Sequence, residues 1–452
     1  MKKILLLLVC QLLLFSYTID FKTSLSKTIE NNKGLKAKKL DVETSKLDLE
    51  EAKGYNYGNL VFNENISHTN NAGYVFGMKL ASREATFGDF GFNEFDMTGA
   101  TNPLPVAPKD LNYPDARTNY ETKLTYKVPL FTGYKLQNAK KMAKLQILAK
   151  TAKYNYDEKA LGLEVLKAYN GAVASKEFIK ATKKAKEATS SFVNFANELF
   201  NEGLVTSIDV KQAKVYDMGV DAKMIEAKNR YDLALSYLKF LTSEENITNV
   251  GSFKNSTNNI TLLETLTSTT HDNREDFSWM KYNTDTMRAK IDFDNADNYP
   301  MIGAQLEYGY NDDEVNNINS DKDYYLGAVG LSYTLFDGSI TSSKKQKAKI
   351  KYNQTKHYFE YMKDGIKLEV EKNLLTLQTK QKILKQKIKA QNLSDEVLEQ
   401  SQQMYKNHLI NMSNLLMQQA NQQKSSAETI MANYEKSLAA ATLQISLGEK
   451  LK

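Results

Sequence analysis

Proline is excluded from helix interiors because it lacks an amide hydrogen and its ring collides with the preceding turn. The prolines of this 452-residue chain stand at 103, 105, 108, 114, 129 and 300, so Leu130–Tyr299 and everything after Met301 are free of them. Within these tracts apolar residues recur at helical spacing. Leu145, Leu148, Ala152, Tyr156, Leu163, Leu166, Tyr169 and Val173 mark the first, and Phe359, Met362, Ile366, Val370, Leu374 and Leu377 the second. The pattern predicts long helices over 134–200 and 339–405. Each is about 67 residues, hence about 100 Å if continuous at 1.5 Å per residue. Helices of that length, with Lys, Gln and Glu on the opposite face, do not fit inside an ordinary globule; they project from one.

The two tracts are copies of one plan. At a constant offset of 205, Leu130, Phe131 and Gly133 recur as Leu335, Phe336 and Gly338, and Leu163, Glu164 and Val165 as Leu368, Glu369 and Val370. Leu204 recurs as Leu409, and Ala222, Ile225, Ala227, Leu233 and Leu238 as Ala427, Ile430, Ala432, Leu438 and Leu443. The offset aligns a strand end, a helical break and a second helix, which shared apolar periodicity alone does not explain. Upstream it becomes 244, with Ala52 and Tyr55 matching Ala296 and Tyr299, so the first copy holds 39 extra residues. They lie within roughly Asn70 to Arg117, where Gly, Asn, Asp and Pro predict a loop. A loop of that length is uncommon in a compact domain, but membrane barrels tolerate one on their outer side.

Short amphipathic strands precede each long helix. Val329, Leu331, Tyr333 and Leu335 alternate with Ala328, Gly330, Ser332 and Thr334; Ile302, Ala304, Leu306, Tyr308 and Tyr310 alternate with Gly303, Gln305, Glu307 and Gly309. Leu124, Tyr126, Val128 and Leu130 behave alike, while the strand near Tyr57–Ile66 places Glu64 on the face of Leu60 and Phe62. One apolar face over about nine or ten residues is the mark of a barrel strand. Four strands have no partner sheet in this chain, and about eight is the practical minimum for closure. Several copies must therefore share a barrel.

The N-terminus reads as an export leader: Lys2 and Lys3, an apolar run from Ile4 to Phe15, then Ser16 and Thr18. That run is short of the roughly 20 residues a spanning helix needs. Cys10 is the only cysteine, and Val9 before it is a poor context for lipid attachment. The mature chain is expected to hold neither disulfide nor Cys-based metal site. With no other apolar stretch long enough to span as a helix, membrane insertion requires a β-barrel. The formal charge of +6 is modest for this length and does not point to nucleic acid. The expected organisation is a leader at 1–18, a first repeat at 19–248 and a second at 249–452.

The segment Phe200-Asn201-x-Gly203-Leu204-Val205-x-x-x-Asp209-Val210-x-x-Ala213 resembles the first hairpin turn of the TolC family of outer-membrane efflux and secretion channels. Arg274-x-Asp276 resembles the motif opening that family's second half, and Val128-Pro129-Leu130-Phe131-x-Gly133 and Leu335-Phe336-x-Gly338 its strand ends. The resemblance covers nearly the whole mature chain. It implies an α+β membrane protein whose four strands join a trimeric 12-stranded outer-membrane β-barrel, while long antiparallel hairpins form an α-helical tunnel through the periplasm. It further implies a homotrimer set in outer-membrane lipid, docking a periplasmic adaptor (membrane fusion protein) and an inner-membrane pump, and passing substrates unchanged in efflux or type I secretion.

In the family an Asp of the first hairpin turn is tied to a Tyr and an Arg of the second, holding the resting tip closed. Asp209 and Tyr405 match the first two, but Ile410 stands where the Arg is expected, which removes a charge-assisted bond. Asn414 and Met417 occupy the positions of two acidic rings, so a less charged latch is expected, with Met417 and Leu416 narrowing the bore. His408 replaces the turn glycine Gly203 of the first repeat and needs φ > 0 if that turn is kept. Capping at a helix start is the plainer role for Asp209, and capping with a local ion pair the plainer one for Arg274 and Asp276.

His68, His271, His357 and His408 are too scattered for ligand spacing, so no metal is expected, and no cofactor or catalytic constellation is legible. Lys344, Lys345, Lys347, Lys349 and Lys351 form a solvated face or meet anionic headgroups. The rival reading, a periplasmic adaptor, predicts a single hairpin beside a compact β domain.

Overall fold

The computed structural model describes residues 17–254, 273–315 and 320–451. The apolar run of the expected leader, with Cys10, lies outside the described residues, as does His271. The chain divides into two compact units, one within Met1–Glu43, Leu148–Tyr282 and Lys356–Lys452, the other within Thr44–Ile147 and Asn283–Thr355.

In chain order the elements are β1 (Tyr17–Ile19), α1 (Phe21–Asn31), α2 (Lys33–Gly54), β2 (Asn59–Thr69), α3 (Ala72–Ala81), α4 (Lys109–Asn112) and β3 (Arg117–Thr132). There follow α5 (Lys135–Asn201), α6 (Ser207–Thr242), β4 (Ile247–Val250), α7 (Glu275–Asn295), β5 (Met301–Asp312), β6 (Asp323–Ser332), α8 (Ile340–Lys406) and α9 (Met412–Ser446). The long helices α5 and α8 each run 67 residues, and the offset of 205 carries both ends of one onto the other.

Repeated chemistry stops and restarts these helices. Gly203 at φ 77° and His408 at φ 62° both take the left-handed conformation. Leu204 N donates to Leu199 O at 2.8 Å and Leu409 N to Met404 O at 2.8 Å, closing a Schellman turn at each C-terminus. His408 thus keeps the turn geometry of the glycine it replaces. At the strand-to-helix junctions, Gly133 with Tyr134 and Gly338 with Ser339 are consecutive positive-φ pairs. A Cβ on Gly133 would stand 2.5 Å from Ala296 O, whereas one on Gly338 meets nothing within 4 Å. Gly338→Ala should therefore cost only the left-handed penalty of about 1–2 kcal/mol, and Gly133→Ala clearly more. Paired thermal unfolding of the two variants checks this order.

The first unit holds the apolar clusters. One surrounds Tyr169 with Ile19, Phe21, Leu238, Ile247 and Val250. A second joins Phe192, Leu199, Val210, Tyr405, Met412 and Leu415 beside the hairpin turns. Strands β1 and β4 pair in parallel, with Asn249 Nδ2 donating to Thr18 Oγ1 at 3.1 Å. Two expected boundaries fall inside this small sheet: the leader end at 18 cuts β1, and the repeat junction at 248/249 cuts β4.

The second unit is built on an antiparallel sheet of order β2-β3-β5-β6. One strand expectation needs correction. β6 ends at Ser332, so Tyr333 and Leu335 continue the alternation without continuing the strand. Its partner β5 begins at Met301, directly after Pro300, and Met301 pairs with Ser332. The hairpins also differ in register: the offsets carry the pair Asn59–Lys127 onto Gly303 and Ser332, yet Gly303 pairs with Gly330. A shift of two preserves which face each residue occupies. Beside Pro129, which has no amide to donate, the β3–β5 ladder slips at a bulge. Residues 70–116 are not a plain loop. Asn71 caps α3 by accepting from Tyr74 N, two short 3-10 turns follow, and α4 precedes β3.

Candidate functional site: the sheet faces and the hairpin turns

Cross-strand register sorts the sheet into two unlike faces. On one, Leu60–Tyr126–Leu306, Phe62–Leu124–Tyr308–Tyr325 and Val128–Ala304–Val329 form rows, with Ile302 beside Leu331. Val329 is 72% exposed and Leu331 67%, and none of the buried apolar clusters lies on this sheet. Polar residues on this face pair with one another toward the loop end: Glu64 accepts from Thr122 Oγ1, His68 meets Thr118, and Asp323 accepts from Tyr308. The other face carries Asn59–Lys127–Gln305, Asn63–Lys123–Gly309–Tyr324 and Asn65–Glu121–Asn311. There Lys123 Nζ lies 3.0 Å from Glu121 and 3.9 Å from Glu307, and Tyr324 donates to Glu307 at 3.1 Å and Glu121 at 3.3 Å. Lys123 and Lys127 formally balance Glu121 and Glu307. One face calls for hydrocarbon, the other for water.

At the first hairpin turn Thr206 and Asp209 form a reciprocal capping box. Asp209 Oδ2 accepts from Thr206 N at 3.0 Å and Thr206 Oγ1 at 2.7 Å. The second hairpin keeps half of this: Asn411 Oδ1 accepts from Asn414 N at 2.9 Å, and Asn414, standing where the first repeat has Asp209, completes no box. Tyr405 is 4% exposed, with its ring edge-on to Phe195 at 5.7 Å. Its hydroxyl has no hydrogen-bond partner among the described residues. Burial, then the charge of Asp209, pushes that hydroxyl above its ordinary pKa. Asp209 and Tyr405 are thus neighbours without a hydrogen bond in this chain, the aspartate being engaged by its own cap.

Ile410 packs partly buried against the cluster around Tyr405. His408, Asn414 and Met417 are exposed, but Leu416 is 8% exposed inside that cluster. Leu416 therefore packs within the cluster beside the hairpin turns, while Met417 does not. Sequence reading also missed Phe195 and the buried Gln419, whose Oε1 lacks a partner among the described residues.

Arg274 is 8% exposed and has wider reach than a local pair. Its Nε and Nη2 donate to the two oxygens of Asp276 at 3.0 and 2.6 Å. Its Nη1 donates to Glu369 at 2.7 Å on α8 and to the Ser446 carbonyl at 3.0 Å at the end of α9. Burial opposes the charge, but Asp276 and Glu369 outweigh it and raise the pKa above its ordinary value. Asp276 also accepts from Phe277 N, and Arg274, just before α7, ties the start of that helix to α8 and α9.

His68 meets Thr118 Oγ1 at 3.0 Å, and among the described residues the one grouping with metal-like spacing is Glu84, Asp312 and Asp313. Arg117 pairs with Glu84 and Asp313, and Lys322 with Glu84 and Asp312, so these carboxylates serve cations of the chain itself. In the lysine run, Lys344 pairs with Asp297 and Lys345 donates to Asn295.

Residues 108–244 and 266–449 match the family of outer membrane efflux proteins. No curated protein matches the sequence. The fold is similar to the crystal structure of CusC, with TM-score 0.78 and 13% identity over 96% of this chain and 94% of that one. It is also similar to the outer membrane protein VceC of Vibrio cholerae, with TM-score 0.77 and 12% identity over 96% and 97% of the two chains. The open-state outer membrane channel MtrE of Neisseria gonorrhoeae gives TM-score 0.75 and 14% identity over 96% and 89%.

Proposed function

The chain belongs to the outer membrane efflux protein family, and from that premise we propose that three copies close one antiparallel 12-stranded barrel in the outer membrane. The paired long helices of the three copies then form a tunnel through the periplasm. The protein is an outer-membrane transport channel of a tripartite efflux system rather than a periplasmic adaptor or an enzyme, and its substrates pass unchanged. The partners are a periplasmic adaptor and an inner-membrane pump, which meet the hairpin turns.

The sheet supports this reading most. Its edges, β2 and β6, run in opposite directions, so an edge of one copy fits antiparallel against the other edge of the next. Four strands fall short of the roughly eight that closure requires, and a closed barrel leaves no backbone group unpaired in lipid. No helix among the described residues is long and apolar enough to cross a membrane; the apolar sheet face takes that place. Cell fractionation tests the reading: detergent-requiring, heat-modifiable protein in the outer membrane supports it, and a soluble periplasmic monomer overturns it.

For the resting state we place a latch at Asp209 and Tyr405, supported by their proximity and by the unpartnered buried hydroxyl. Tyr405→Phe and Asp209→Ala should both raise resting conductance in planar bilayers. Thr206→Ala, which removes the hydroxyl bond to Asp209 but keeps the backbone Thr206 N bond that holds its carboxylate, should cost about 1 kcal/mol of stability and leave conductance unchanged. Unaltered conductance in the first two variants removes the latch.

A further inference from the structure

Residues 70–116, between β2 and β3, present an apolar surface that no other described residue covers. On one side of α3, Gly73, Tyr74, Gly77, Leu80 and Ala81 are all exposed, Tyr74 by 69% and Leu80 by 49%. A Cβ built on Gly77 meets nothing within 4 Å. Phe87 and Phe92, 80% and 59% exposed, pack edge-on at 5.8 Å in the same segment.

The charges beside α3 turn into the segment's own frame. Lys79 pairs with Asp89, which also accepts from Thr86 N at 2.7 Å, and Glu94 accepts from Lys109 N at 2.9 Å and Asp110 N at 2.8 Å. What remains on the outer face of α3 is uncharged. Exposed apolar surface of this kind marks an interaction site, and glycines on a helix face let another backbone approach closely.

Its anchorage shows which way the segment folds. Arg117 shares the polar sheet face with Asn119, Glu121 and Lys123; it donates to Ser82 Oγ at 3.1 Å and pairs with Glu84. Lys322 also holds Glu84, and Arg83 donates to the carbonyls of Asp321 and Asp323 at 3.0 and 2.6 Å. On that same face Asn119 and Asn311 are 7% and 8% exposed, while Lys127, toward the other end of β3, is exposed. The segment covers one end of the water-facing side of the sheet, not its lipid side.

We propose that this segment is a lid, with α3 of each copy packing against α3 of its neighbours across the outer mouth of the barrel. The occupant is a second copy because α3 begins directly beyond Thr69, the last residue of edge strand β2, where the next copy joins. Arg117 and Lys322 gripping Glu84 hold the lid down. The inference rests on the three-copy barrel proposed above.

The test uses full-length Gly77→Cys, and separately Leu80→Cys, in native outer membranes, with wild type as the control for Cys10. Mild oxidation should give disulfide-linked dimers from both variants and none from wild type. Glu84→Ala in the Gly77→Cys background should lose the cross-link and raise single-channel conductance. Rapid labelling of the Gly77→Cys and Leu80→Cys proteins by a water-soluble maleimide, without cross-linking, overturns the lid. So does labelling only by a lipid-phase reagent, which would place the face in the outer leaflet. If wild type still runs as a trimer on non-denaturing gels in either case, the barrel reading stands while the lid falls; loss of that trimer in wild type overturns both.

Discussion

Replacing Arg274 by alanine should destabilise the first unit by about 3–5 kcal/mol, the loss typical when one partner of a buried ion pair is removed. The guanidinium is 8% exposed and serves Asp276, Glu369 and the Ser446 carbonyl together. Its removal leaves the half-buried Asp276 without its counterion and frees one of the last carbonyls of α9. Arg274→Lys keeps the charge but cannot grip both oxygens of Asp276 while reaching Glu369 and Ser446, so an intermediate loss is expected. Glu369→Gln should cost less than about 1 kcal/mol, because that side chain is 46% exposed and solvent already screens it. Thermal unfolding of the purified protein in detergent orders the three variants. An Arg274→Ala protein as stable as wild type would show that this node does not hold the helices together.

The second large effect lies in the sheet, where one step along the chain exchanges hydrocarbon for water. Ala328 and Val329 are neighbours on β6, Ala328 beside Gln305 on the polar face and Val329 beside Ala304 on the apolar one. A lysine on the lipid face of a membrane barrel costs about 2–4 kcal/mol near the bilayer midplane. Val329→Lys should therefore unfold at markedly lower denaturant concentration in lipid vesicles and accumulate poorly in the outer membrane. Ala328→Lys should fold normally and change conductance or ion preference instead. Equal tolerance of both lysines would mean that the sheet does not separate lipid from water.

Much of this fold was legible because stop and start signals repeat as faithfully as the apolar pattern. The offset of 205 located both long helices, and it placed His408 in a turn whose geometry was set by Gly203. What escaped depended on partners. Tyr333 and Leu335 extend the alternation of β6, yet β5 begins at Met301 and offers them no ladder. The glycines of α3 read as loop, although the Asn71 cap and the apolar run make a helix. Leu416 and Met417 look alike along the sequence, but only Leu416 faces the other hairpin. Asp276 was visible beside Arg274, whereas Glu369 and Ser446, 95 and 172 residues away, were not. For the Asp209–Tyr405 pair, sequence could name both residues. It could not show that the aspartate is occupied by Thr206 while the tyrosine hydroxyl is left without a partner.

In the proposed assembly the four strands of one chain are a third of a closed barrel. Native mass spectrometry of the protein extracted from outer membranes in mild detergent counts the copies. Three copies of one chain are expected, which at four strands each make twelve. A monomer retaining its strands in lipid, or an assembly of any other copy number, would contradict it.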